Sequence, residues 1–143
     1  MRKIILILLL MTTLLLSLSS CSLGKVKIED YTWKMRYVMH GEDDKAVIDV
    51  AGKEDSAYPD AKIVEMTLVA NDGKITITDS TNNVTHEGTY KVDSKTPDGT
   101  NYMVTIDGKS GYAGVAMTTY ADGTQEPTLP ITLDSYSIYF YAK

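Results

Sequence analysis

From Lys62 onward the chain alternates apolar and polar residues in short runs, and each run ends in a turn signal. A period of two puts alternate side chains on opposite faces of a strand. Ile63 to Ala70 reads as one strand, Asn71-Asp72-Gly73 as a turn, and Lys74 to Asp79 as the returning strand, with Ile75 and Ile77 on one face and Thr76 and Thr78 on the other. Asp-Gly between two such runs is a strong short-range hairpin signal. Val84 to Val92, Tyr102 to Ile106, Tyr112 to Tyr120, Thr128 to Leu133 and Tyr136 to Ala142 continue the pattern, separated by further turns at Asp98-Gly99, Asp107-Gly108, Asp122-Gly123 and Asp134-Ser135. Pro127 and Pro130 lack the amide hydrogen a central strand donates, so the strand through them is expected to begin at about Ile131, beside a bulge or gap.

Before Lys62 the pattern is looser. Tyr31 to Met39 reads as a strand with Trp33, Met35 and Tyr37 on one face and Lys34 and Arg36 on the other; Ala46 to Val50 reads as a second short strand, and Ala51 to Ala61 as a long loop. No segment has a helical period. The fold class is therefore all-β, with about eight short strands joined by tight turns. Strands joined in that way are antiparallel neighbours, and the predicted architecture is a meander that closes on itself as a small β-barrel, which also removes exposed edges. The alternative is a two-sheet β-sandwich.

The first twenty residues are of another kind. Arg2 and Lys3 precede a mostly apolar run from Ile4 to Leu18, broken by Thr12, Thr13 and Ser17, and small residues follow, which is the layout of a secretory signal. The run is shorter than the about 20 apolar residues a membrane span needs. Leu18-Ser19-Ser20-Cys21 resembles the lipobox of bacterial lipoproteins, which implies lipidation of Cys21 and cleavage just before it. A thiolate is the nucleophile such chemistry needs, and two or more acyl chains hold a protein on a bilayer where one is marginal. The other reading is an ordinary secreted protein with a cysteine near its cut site. The expected organisation is a lipoprotein signal peptide over 1–20, the lipidated cysteine and a tether over 21–27, and the barrel domain over 28–143.

Cys21 is the only cysteine, so no disulfide framework is available and stability rests on packing. Loss of Arg2 and Lys3 with the signal, which holds no acid, takes the formal charge from −5 to −7. So acidic a domain argues against nucleic acid as a partner and against anionic lipid bound through the protein surface. The abundance of tyrosine and threonine after the signal favours strands.

The early strand with Trp33, the entry Gly88-Thr89-Tyr90 and the run from Gly111 to Lys143 together resemble small lipocalin-like lipoproteins of bacteria, particularly clostridial ones, over most of the mature domain. The resemblance implies a barrel and a membrane anchor on the extracytoplasmic face of the cell membrane. It names no ligand.

An eight-stranded barrel is just wide enough to be filled by side chains or to hold one small molecule. Gly111, Ala113, Gly114 and Ala116 make one strand poor in bulk, so a cavity lined by Trp33, Met35, Met66, Tyr90, Ala113, Met117 and Phe140 is the candidate site for a small apolar or amphipathic ligand. The bland account is that the glycines permit a sharp bend and larger neighbours fill the space. Tyr136, Tyr139 and Tyr141 lie on both faces of the last strand, and whichever are exposed suit contact with a protein or glycan of the envelope. His40 and His86 each have a carboxylate nearby in Glu42 and Glu87, yet nothing in the sequence brings the two together. Gly108-Lys109-Ser110 echoes a phosphate loop without its upstream glycine or following helix and reads as a hairpin turn. The carboxylates from Glu42 to Asp60 are hard ligands of the kind calcium takes, but their spacing fits no EF-hand and they read as a solvated face. The expectation is a non-enzymatic, lipid-anchored monomer without cofactor or metal, whose barrel either holds an apolar ligand or is filled and meets an envelope partner through its surface.

Overall fold

A computed structural model describes residues 26–41, 50–52 and 60–143. The signal segment, Cys21, most of the Ala46–Val50 run, and the acidic residues Glu42, Asp43, Asp44, Asp49, Glu54 and Asp55 lie outside the described residues. The strands are β1 Trp33–His40, β2 Val50–Ala51, β3 Ile63–Val64, β4 Met66–Asn71, β5 Lys74–Asp79, β6 Val84–Lys95, β7 Gly99–Ile106, β8 Lys109–Thr119, β9 Gln125–Leu133 and β10 Tyr136–Ala142. Eight of them close into an antiparallel barrel in the order β1-β10-β9-β8-β7-β6-β5-β4. β2 is not a barrel strand, because Val50 and Ala51 pair only with Ile63 and Val64, in parallel.

The turns follow their chemistry. At Asp72-Gly73 and Asp107-Gly108 both central residues have positive φ, between 48° and 78°. That is the I′ geometry whose twist matches the flanking strands. Glycines within the strands have a different use. A Cβ on Gly111 would lie 2.0 Å from the Thr132 carbonyl oxygen and one on Gly88 would lie 2.2 Å from that of Thr105. Only glycine lets the neighbouring backbones come so close.

Two predicted details are corrected. β9 runs unbroken from Gln125 through Pro127 and Pro130 rather than starting near Ile131. Pairing with β10 continues at Pro130, opposite Tyr139, while pairing with β8 skips Gly114 and Val115. The missing donor thus costs one side of the ladder locally and leaves the strand intact. In β1, Arg36 is an extra residue: Met35 faces Phe140 but Tyr37 faces Tyr139. This bulge turns Tyr37 away from the face that Trp33 and Met35 share.

Candidate functional site

Strand alternation sends Met35, Leu68, Ile75, Ile77, Tyr102 and Phe140 to the barrel interior, with Trp33 at one end. A 3₁₀ turn at Ile28–Asp30 closes that end. Its Ile28 is fully buried. The Trp33 indole donates to the Ile28 carbonyl at 2.7 Å, the Ile28 amide donates to the Tyr102 hydroxyl at 3.3 Å, and the Tyr90 hydroxyl donates to Glu29 at 2.6 Å. Burial first, and then this bond to Glu29, push the Tyr90 phenol up to about 12. The turn is therefore fastened into the barrel by polar contacts around an apolar plug.

The seven residues expected to line a ligand cavity are placed as follows. Trp33, Met35 and Phe140 are 0% exposed, and Tyr90 and Ala113 are buried. Met66 is half-buried against the core. Met117 is half-buried on β8, opposite Pro127. A side chain that lines a void large enough for water keeps accessible surface. Trp33, Met35, Leu68, Leu129, Ile131 and Phe140 keep none, so the space they share is packed.

The outer wall of β1, β10, β9 and β8 carries a connected cluster. The Tyr37 and Tyr139 rings stack with centroids 4.5 Å apart. The Arg36 guanidinium carbon lies 3.9 Å above the Tyr141 ring, a cation–π contact. The same guanidinium donates to Glu126 at 2.8 Å and to the Tyr120 hydroxyl at 3.4 Å, and Tyr120 donates to the second Glu126 oxygen at 2.8 Å. The bond to Glu126 is the first cause of a Tyr120 phenol held above its ordinary value. Burial, followed by a hydrogen bond with Tyr141, raises the Tyr37 phenol as well. Tyr37 and Tyr120 therefore keep their protons at physiological pH, and the rings of the cluster act as aromatic surfaces with a hydroxyl rim.

Of the tyrosines expected on the last strand, Tyr139 and Tyr141 join this cluster. Tyr136 sits at the far end of the barrel, edge-on to His40 with ring centroids 5.0 Å apart. His86 meets Asp107 at 2.5 Å, so each histidine has its own partner. Gly108-Lys109 lies at a hairpin turn, with Lys109 paired to Asp134 at 2.9 Å. Among the described residues there is no group of three or more His, Cys, Asp or Glu that could hold a metal ion. Sequence reasoning missed Arg36, Tyr37, Tyr120 and Glu126, because only the bulge and the register of four strands bring them together. No family model, curated protein or solved structure matches this chain.

Proposed function

We propose that the protein is a lipid-anchored, extracytoplasmic, non-enzymatic module whose barrel is filled and which works through its outer wall. The observation that carries this reading is the packing among six large inward side chains of the described residues, each at 0% exposure, with no water-sized space between them. The aromatic cluster around Arg36 supports the second half. It holds Tyr37, Tyr139, Tyr141 and Tyr120 in fixed positions with an arginine among them. Tyrosine and arginine are the residues over-represented where proteins meet partners, since they present large rigid contact area at small entropic cost. Cys21 supplies the anchor, with the tether ending where the 3₁₀ turn plugs the barrel.

The test is native mass spectrometry of the full chain expressed in a bacterial host and extracted in detergent, compared with its denatured mass. The expected result is one mass in both states, equal to the polypeptide from Cys21 onward plus its acyl groups. An unmodified cysteine would remove the anchor from this account, and an adduct lost on denaturation would replace the filled barrel with a ligand carrier.

A further inference from the structure

On the opposite side of the barrel from β1, the outer wall of β6, β7 and β8 has a groove of about 280 Å³. Its form follows from register. The inward residues Tyr90, Val104 and Gly111 are cross-strand partners, so their backbones make the floor. The outward rows on either side make the walls: Thr89, Thr105 and Ser110 on one, and Lys91, Met103 and Tyr112 on the other. Tyr112 is 64% exposed and Met103 is 53% exposed, the two highest values among the large hydrophobic side chains of the described residues.

The two walls differ in chemistry. One is a row of hydroxyls, with Thr105 and Ser110 oxygens 3.5 Å apart; the other offers an aromatic ring, a thioether and one ammonium. A ligand that fits both must be apolar on one face and rich in hydroxyls at its edge. A pyranose ring with equatorial hydroxyls is such an object, because its axial C–H groups form a flat apolar face while its rim donates and accepts hydrogen bonds. The electron-rich face of tyrosine attracts those C–H groups. A groove this size lies just below the roughly 300 Å³ at which whole-ligand pockets begin, and it is open to solvent at the surface, so it suits a ring within a longer chain. Among the described residues Lys91 is the one charged side chain along it, and a chain of net charge −5 repels polyanions.

We propose that this cross-strand groove binds a neutral β-linked glycan, with one pyranose ring laid on Tyr112 and its hydroxyls met by Thr105, Ser110 and Lys91. The proposal is independent of the lipid anchor and of the Arg36 cluster, and it concerns a wall that neither uses.

The experiment uses the full chain in a detergent without a sugar headgroup, with cellotetraose and chitotetraose as probes, read by saturation-transfer NMR and by titration. The expected result is transfer to the axial ring protons of at least one tetrasaccharide. Tyr112→Ala should then weaken binding about tenfold or more, Tyr112→Phe should stay within about threefold of the parent, and Thr76→Ala on β5 should change nothing. Absence of transfer from both probes at millimolar concentration overturns the proposal. So does equal weakening by alanine and phenylalanine at Tyr112, or a loss with Thr76→Ala as large as that with Tyr112→Ala.

Discussion

The indole nitrogen of Trp33 donates a 2.7 Å hydrogen bond to the backbone carbonyl of Ile28, and both residues are 0% exposed. This bond joins the first barrel strand to the turn that plugs the barrel. Trp33→Phe removes the donor, strands a buried carbonyl and leaves a void. The expected cost is about 2–4 kcal/mol, from the unpaired acceptor and the lost volume together. Urea unfolding checks it: the midpoint should fall with the slope unchanged.

The Tyr90 hydroxyl bond to Glu29 makes stability depend on alkaline pH. Burial and Glu29 hold the Tyr90 phenol at about 12, against about 10 in an unfolded chain. The folded state therefore keeps this proton where the unfolded state has lost it. The contribution is complete below about pH 10 and disappears as pH rises toward about 12. Stability of Tyr90→Phe, followed from pH 9 to 12, should fall less steeply than that of the parent. Parallel curves would mean that Tyr90 has no part in the alkaline loss.

The outer cluster is half-exposed and correspondingly modest in its effect on stability. Arg36→Ala should cost about 1 kcal/mol, the sum of one cation–π contact and one surface ion pair. Part of that loss should vanish in 1 M salt, where the Glu126 pair is screened. Arg36→Lys should recover less than half, because an ammonium can neither stack flat on Tyr141 nor reach Glu126 and Tyr120 together. Denaturation at low and high salt separates these outcomes.

Much of the barrel was legible in the sequence, since Asp72-Gly73 and Asp107-Gly108 have one preferred backbone solution and the flanking period of two leaves little choice of face. The inward placement of Trp33, Met35, Tyr90, Ala113 and Phe140 followed from the same alternation. What escaped was whatever depends on partners far along the chain. The bulge at Arg36 reverses Tyr37, and nothing local marks it, because its cause is the register with Tyr139. The strand was expected to begin at about Ile131 beside a bulge or gap; the gap falls on the β8 side, yet the unbroken pairing with β10 carries the backbone through Pro130, a tertiary effect overriding a local one. The 3₁₀ turn left only a faint trace, with Ile28 set between Lys27 and Glu29 and Asp30 placed to accept the Lys27 amide at 2.8 Å. The groove beside Tyr112 was invisible because its two walls come from three strands.

The central claim is that the barrel is filled, and Ala113 tests it most directly. Ala113 lies on the inward face of β8, opposite Tyr102 on β7 and Ile131 on β9, and is 4% exposed. Leucine adds three carbons there. Unfolding of Ala113→Leu in urea, measured beside the parent, should show a loss of about 1–3 kcal/mol from overpacking. A variant as stable as the parent, or more so, would mean that the barrel holds empty space at this strand and would contradict the account.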